Sequence, residues 1–403
     1  MTKPKVLLVA VLATALAASS AVGAQLNFGG DLGFYLFDVS MGKGTLPVWD
    51  TLQKKAIGKD YADTTGRIQT ALESHGFGLY WNVQLTDNVS ISALTEVGAR
   101  TGATPSLGTK LGQQELPVDD KTFKALSLPE AYIQVMLPWQ LQMSTGIIRP
   151  IFSEDYGEKK GYQEANRLFK SSANGYGGEW HDLGIELYKS FEPGGGLSIP
   201  AYAYLLAGEQ PLADENSNKA LLFHVAPSFW KLRVLGSFGF GKAGPDTALE
   251  SWSRYAAGLG GDFGNLWFRG EFFSGSWAGN EVLNEAHKDT LGNIIPDTVT
   301  FKPIAYYVKA GYNLIPDKLG LVLTYDQSSP DWTTRGKLGY KTPSGKTTDA
   351  GESYTTLGAT IQYWVIPGSS ILLEYNRGMW KVGDGTLNKL DFNRVTLGWR
   401  TVF

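Results

Sequence analysis

The stretch Leu390–Phe403, which reads L-D-F-N-R-V-T-L-G-W-R-T-V-F, decides how the rest of the chain is interpreted. Every second residue counted back from its end belongs to a mainly apolar face, namely Phe403, Thr401, Trp399, Leu397 and Val395. The intervening residues include Arg394 and Arg400. This alternation is typical of a β-strand with one apolar and one polar face. Because an unpaired strand edge invites aggregation, we expect the strand to pair along both edges, as it would in a closed barrel.

The same stretch resembles the closing strand of bacterial outer-membrane β-barrels, which ends in phenylalanine. The resemblance implies that Trp399 and Phe403 belong to a signal read by the barrel-assembly machinery. It also implies a place in the outer membrane of a Gram-negative cell, in contact with membrane lipid and lipopolysaccharide.

The first 24 residues have the features of a secretory signal peptide. Lys3 and Lys5 precede an apolar run, Val6–Ala18, that is followed by small residues up to Ala24. A membrane anchor is the alternative, but a spanning helix needs about 20 apolar residues, and the run Val6–Ala18 is shorter than that. We therefore predict export through the Sec pathway, removal of residues 1–24 and one outer-membrane β-barrel domain over residues 25–403.

The composition excludes several classes of protein and site. The absence of cysteine excludes disulfides, thiolate metal sites and covalent c-type haem attachment. Loss of Lys3 and Lys5 with the signal peptide moves the formal charge from −3 to −5, which disfavours nucleic acid as a partner. The chain holds 12 Trp, 19 Tyr and 19 Phe, yet its mean hydropathy is only −0.15. Abundant aromatic residues in a chain of low mean hydropathy are typical of a barrel with a water-filled lumen.

Alternating segments predict about 16 antiparallel strands. One example is Leu319–Tyr325, where Leu321 and Leu323 belong to the apolar face and Val322 and Thr324 to the opposite face. Short turns are indicated near Asp87, Pro138, Gly194, Trp230, Gly264, Pro316 and Pro367, and long polar segments separate the other strands. The sequence therefore predicts an all-β transmembrane barrel with short periplasmic turns and long extracellular loops.

The motifs do not favour an enzyme, a cofactor site or a metal site. The enzyme alternative is an outer-membrane lipid hydrolase, which would need a serine and a histidine that face lipid near the outer rim. Gly239, Gly241 and Gly244 match G-x-G-x-x-G, but another strand follows instead of a helix. The histidines, at positions 75, 181, 224 and 287, lack the spacing of a metal-binding set. Ser74 and His75 are adjacent, so regular alternation would point them to opposite faces and prevent a nucleophile–base pair.

Strand parity predicts a pore lining of mixed charge. The inward basic residues are Arg100, Lys231, Arg233, Arg254, Arg269, Lys309, Arg394 and Arg400, and the inward acidic residues are Asp31, Glu96, Glu186, Asp262, Glu271, Asp326 and Glu374. These charges could simply pair between neighbouring strands and stiffen the wall. They could also line a weakly selective channel, because selectivity needs a ring of one sign.

The segment Arg149–Trp180 is far longer than a strand connection needs. With its E-D-Y-G after I-I-R-P-I-F, it resembles the corresponding part of phosphate-selective porins. In those porins the third long loop narrows the pore, which makes constriction candidates of Glu154, Asp155, Glu158, Lys159, Lys160, Arg167 and Lys170.

These patterns predict a porin that passes small hydrophilic solutes or ions by diffusion, without a cofactor. The family resemblance implies a possible homotrimer. The alternative is a barrel sleeve around a periplasmic cytochrome, as in an outer-membrane electron-transfer complex. In that case the partner would carry the haem, since this chain cannot attach it through cysteine.

Overall fold

The computed structural model describes residues 25–41, 48–50, 55–57, 66–97, 127–153, 181–207, 218–243, 250–281, 297–301, 304–329, 352–382 and 388–402. They form the strands β1 (Gln25–Met41), β2 (Val48–Asp50), β3 (Lys55–Ile57), β4 (Gly66–Thr86), β5 (Val89–Val97), β6 (Ser127–Leu137), β7 (Leu141–Ile148), β8 (Asp182–Gly194), β9 (Leu197–Leu206), β10 (Ala220–Val225), β11 (Ser228–Phe229), β12 (Leu232–Ala243), β13 (Glu250–Phe263), β14 (Leu266–Glu281), β15 (Asp297–Phe301), β16 (Ile304–Ile315), β17 (Leu319–Ser329), β18 (Glu352–Ile366), β19 (Ser369–Val382) and β20 (Asn388–Val402).

The strand pairings form a closed antiparallel ring. The first strand, β1, pairs with β4 along one edge and with the last strand, β20, along the other. Sequential pairings from β4 round to β20 complete the ring. Two ring positions are each shared by a broken strand, β10 with β11 and β15 with β16, while β2 and β3 form a separate hairpin. The ring therefore has sixteen strand positions, which confirms the predicted fold class.

Short and long connections alternate round the ring. The short turns lie at one end of the barrel, and two of them carry the exposed tryptophans Trp139 and Trp230 at their tips. Both have positive φ, 62° and 55°, a conformation that bulky residues adopt only in tight turns. Exposed tryptophan suits the water interface of a membrane. The longer connections all lie at the opposite end, as the sequence predicts.

The outer surface of the ring is apolar along most strands. In the closing strand Val395, Leu397 and Trp399 are 46%, 49% and 37% exposed, and in β17 Leu323 is 54% exposed. Their neighbours Thr396 and Arg400, on the other face, are 0% and 5% exposed. Apolar side chains outside and polar ones inside are the arrangement of a barrel that sits in lipid. Among the described residues, no helix has the length and apolarity needed to span a bilayer.

The first hairpin is longer than the sequence indicates. The segment Asp38–His75 reads as a loop, but β1 continues to Met41 and β4 starts at Gly66. Within β4, Phe77 pairs with Leu32 while Ser74 pairs with Phe34, so the two residues between them face a single partner residue. This β-bulge interrupts the alternation on which the Ser74–His75 argument depends. The side chains of both residues lie outside those that the structure describes.

Candidate functional site in the barrel interior

Most of the predicted lining residues lie on the strand face opposite the exposed apolar side chains. They are Arg233, Arg254, Arg269, Lys309, Arg394, Arg400, Glu186, Asp262, Glu271, Asp326 and Glu374. Lys231 is an exception, because it lies in the turn after Trp230, with its Nζ 5.3 Å from the centre of that indole ring. Strand parity does not hold inside a turn, so its place in the pore lining stays a prediction. Arg100 and the side chains of Asp31 and Glu96 lie outside the described part of the chain.

Burial separates the inner charges into two groups. Glu271, Asp326 and Glu374 are 4%, 7% and 2% exposed, and Arg394 and Arg400 are equally buried. Glu374 accepts hydrogen bonds from Thr360 Oγ1 at 3.0 Å and from Asn376 Nδ2. Glu271 accepts one from the Tyr307 hydroxyl. These carboxylates are part of a packed polar wall, where hydrogen bonds replace water around them.

Among the predicted lining residues, those that stay accessible are mainly basic. They are Arg233, Arg254, Arg269 and Lys309, against the acidic residues Glu186 and Asp262. The prediction did not include Glu130 of β6, which is paired with Arg149, or Glu192 of β8, which accepts hydrogen bonds from Ser190 and Ser198. Eight inward basic and seven inward acidic residues in the sequence therefore do not give a nearly balanced charge among those that stay accessible. Parity indicates which face a side chain is on, whereas burial depends on contacts with other strands and segments.

Three of the accessible basic residues share one hydrogen-bonded row across the wall. Arg233 pairs with Gly260, Gly260 with Arg269, and Arg269 with Lys309. We call Arg233, Arg269 and Lys309 the basic band. A side chain at Gly260 would meet the Arg269 Cδ at 2.7 Å, so the glycine leaves room for that arginine to lie along the wall. The band places cations at one level of the interior.

Arg269 and Lys309 are directly opposite each other on β14 and β16. Like charges at opposite positions destabilise a sheet by roughly 0.2–1 kcal/mol. Two contacts offset that cost: Arg269 Nη2 donates to Asp262 Oδ2 at 2.9 Å, and Lys309 Nζ lies 4.8 Å from the centre of the Tyr307 ring. The arrangement keeps two cations side by side without unfolding the wall.

The start of the long loop after β7 turns into the barrel. Phe152 is 2% exposed and packs in an interior apolar cluster with Tyr204, Leu222, Trp252 and Phe273, among others. The backbone N–H of residue 151 donates to the Tyr204 hydroxyl at 3.2 Å, and Ser237 Oγ donates to the Phe152 carbonyl at 2.7 Å. The segment Ile151–Ser153 is thus fixed against β9 and β12.

Both ends of this loop reach one carboxylate on β6. Arg149 Nε lies 3.5 Å from Glu130 Oε1, and His181 Nε2 lies 3.4 Å from the same oxygen. Glu130 therefore lies next to both the departure and the return of the chain. The constriction candidates Glu154, Asp155, Glu158, Lys159, Lys160, Arg167 and Lys170 lie outside the described residues. Their position in the pore stays a prediction.

Tyr188 of β8 and Tyr202 and Tyr204 of β9 form a group of neighbouring aromatic rings on the inner face. We call this group the tyrosine patch. The ring centres of Tyr188 and Tyr202 are 4.5 Å apart, and those of Tyr202 and Tyr204 are 6.1 Å apart with parallel planes. Tyr204 is buried, but Tyr188 and Tyr202 keep part of their surface open to the interior. Sequence reasoning missed this patch, although its members alternate along β8 and β9 on the inward face.

A hydrogen-bonded histidine supports the tyrosine patch from β10. The His224 ring centre lies 5.7 Å from that of Tyr202, and His224 Nδ1 is 2.7 Å from Ser237 Oγ. Because the Ser237 hydroxyl proton goes to the Phe152 carbonyl, His224 Nδ1 is the donor in this pair. His224 is 1% exposed and supports the wall. Within the described residues, no group of three or more His, Asp or Glu side chains could hold a metal ion.

No protein-family model matches the chain, and no curated protein sequence matches it. Several solved structures share its fold. OmpT in trimer form, an outer-membrane protein of Vibrio cholerae, has a TM-score of 0.55 at 13% identity, with 94% of this chain and 99% of OmpT covered. The outer-membrane channel DcaP of Acinetobacter baumannii has a TM-score of 0.56 at 13% identity, with coverage of 94% and 97%.

An anion-selective porin from Comamonas acidovorans gives a similar result. Its TM-score is 0.55 at 12% identity, with 94% of this chain and 100% of the porin covered. These likenesses, together with the closed ring of strands, show that the chain has the outer-membrane porin fold. The narrower resemblance to the phosphate-selective type stays a prediction.

Proposed function

We propose that the chain forms a water-filled channel in the outer membrane, through which small hydrophilic solutes pass by diffusion. The observation that carries this proposal is a closed ring of sixteen strands with an apolar outer surface and accessible charges inside. A barrel of 16 strands is wide enough to leave an aqueous channel. The inner wall holds water, while the outer wall contacts lipid.

The channel prefers anions in this proposal. Of the predicted lining residues that stay accessible, four are basic and two are acidic, and Asp262 already pairs with Arg269. A water-filled passage lined by one sign of charge concentrates ions of the opposite sign. This differs from the weakly selective channel that the counted charges predict, because the carboxylates of Glu271, Asp326 and Glu374 are withdrawn into the wall.

The double variant Arg233→Glu/Lys309→Glu is expected to change the preference from anions to cations. Reversing two cations makes the accessible lining more negative by four charges, which removes the excess of basic residues. Lys309→Glu also gives Arg269 an opposite charge across the strand pair, so the wall should fold. The measurement is the reversal potential of the purified channel in a salt gradient across a planar bilayer.

Lys242→Glu is the matched control for this experiment. Lys242 lies on the outward face near the loop end of β12 and is exposed, so one reversal of the same kind is made away from the interior. It should leave the reversal potential unchanged. A cation-preferring wild type, or a double variant that keeps the anion preference, would contradict the assignment of the basic band.

The remaining partners follow from the same proposal. OmpT of Vibrio cholerae is in trimer form, and we propose a homotrimer for this chain too, to be tested by its mass in detergent. Assembly through Trp399 and Phe403, contact with lipopolysaccharide and export through the Sec pathway stay predictions. The cytochrome sleeve remains the rival, and the closing measurement of the Discussion separates it from the channel.

A further inference from the structure

We infer that the tyrosine patch and Arg233 form a binding site for aromatic carboxylates in the channel wall. This inference rests on the proposed channel, since a solute must enter the interior to reach the site. It goes further by naming a class of solute that combines a flat ring with a negative charge.

The tyrosine patch offers aromatic surface in a fixed position. Tyr188 and Tyr202 lie 4.5 Å apart between ring centres and are both partly exposed, whereas Tyr204 and His224 are buried beside Tyr202. The bond from His224 to Ser237 holds the supporting ring in place. Rigid, partly exposed aromatic rings stack with other flat rings at a small cost in conformational entropy.

Arg233 supplies the charge next to this surface. It lies on β12, opposite Ser228 of β11, and is exposed. Ser228 in turn pairs with Ser198 of β9, which lies on the same strand and the same face as Tyr202, four residues before it. A guanidinium group binds a carboxylate through two parallel hydrogen bonds, which fix the direction of the bound molecule.

Acidic side chains lie on both sides of the site, and Arg233 sets the position of the ligand's charged group. Glu186 Oε1 accepts a hydrogen bond from Ser144 Oγ at 3.2 Å, and Glu186 lies two residues before Tyr188 on the inward face of β8, toward the loop end. At the turn end, Glu192 accepts hydrogen bonds from Ser190 and Ser198. A carboxylate ligand is repelled from both and attracted to Arg233, which lies near the turn end. The ring then rests on Tyr188 and Tyr202 with its charged group toward the turns.

The test uses the full-length mature protein in planar bilayers, with sodium benzoate, sodium acetate and benzamide as probes. Acetate has the charge without the ring, and benzamide has the ring without the charge. We expect benzoate to reduce the ion current by half at a concentration about tenfold lower than either control, since stacking on one aromatic ring is worth about that factor.

Two variants assign the effect to the site. Tyr188→Leu/Tyr202→Leu should raise the half-blocking concentration of benzoate to that of acetate, and Arg233→Gln should raise it to that of benzamide. Tyr255→Leu is the matched control, because Tyr255 lies on the outer surface of β13 and is 46% exposed. It should leave the block by benzoate unchanged.

Benzoate that blocks no better than acetate, or equally well in the double tyrosine variant, would overturn the inference while leaving the channel intact. A protein without any current would instead overturn the proposed channel. Calorimetric titration of the detergent-solubilised barrel with benzoate then still tests the site. Binding that Tyr188→Leu/Tyr202→Leu weakens about tenfold supports it, and no binding refutes it.

Discussion

Leu323→Arg is expected to destabilise the folded barrel by about 2–4 kcal/mol, because it places a charged group at mid-height on the lipid-facing wall. Leu323 is 54% exposed and lies near the middle of β17. Its partners across the strands are Ala310 and Ala359, which offer no polar group to an arginine. The measurement is urea unfolding of the barrel in lipid vesicles, with heat-modifiability on gels as a test of folding.

The neighbouring change Thr324→Arg is the matched control. Thr324 lies on the inner face, opposite Lys309 on one side and Gly358 on the other. A second cation beside Lys309 costs at most about 1 kcal/mol in the sheet, and Thr324 is only half-buried, so the longer side chain can extend into the interior. A stable Leu323→Arg barrel with an unfolded Thr324→Arg barrel would show that the strand register is wrong by one residue.

Removal of Glu158–Lys170 is expected to raise the single-channel conductance. The described start of this loop already lies inside the barrel, where Ser237 and Tyr204 hold it by hydrogen bonds. We propose that the following residues continue across the interior and narrow it. Shortening the loop beyond these anchors should widen the water path while leaving the wall intact. Current steps in planar bilayers measure the change.

The control is removal of the equally long segment Gly336–Thr348 from the connection between β17 and β18. It tests whether shortening any long loop changes the conductance, and it should have a smaller effect. The deleted residues of both loops lie outside those that the structure describes. If the barrel without Glu158–Lys170 folds and conducts like the wild type, the constriction assignment is wrong and the loop does not limit the current.

The fold could be predicted because a barrel strand repeats a simple local rule. In Leu390–Phe403 the alternation places Val395, Leu397 and Trp399 on one face, and the structure confirms this face as the outer surface. Lipid makes the rule strict, since a polar side chain in hydrocarbon is costly. Turn residues such as Gly264, with φ of 71°, mark where each strand reverses.

The interior could be predicted only in part, because its properties depend on contacts that are distant in sequence. Parity placed Arg269 and Lys309 on the inner face. Their positions directly opposite each other follow only from the pairing of β14 with β16. Parity also could not show that Glu374 is enclosed by Thr360 and Asn376 while Arg233 stays exposed. The sign of the accessible charge therefore emerged only from the three-dimensional arrangement.

The inward turn of the loop after β7 illustrates the same limit. Length alone could not distinguish this loop from the others, and the sequence pointed to it only through a family resemblance. The structure adds a physical reason, since the Phe152 side chain is enclosed by an apolar cluster inside the barrel. Tyr204 and Ser237, which anchor this segment, come from strands about 50 and 85 residues away in the chain.

The conductance of the purified, folded, unmodified protein in a planar bilayer is the most direct test of the channel. The account predicts discrete current steps in potassium chloride and a reversal potential that favours chloride over potassium. A folded barrel that inserts without producing current would contradict the channel, and co-purification of a coloured periplasmic partner with it would favour the sleeve.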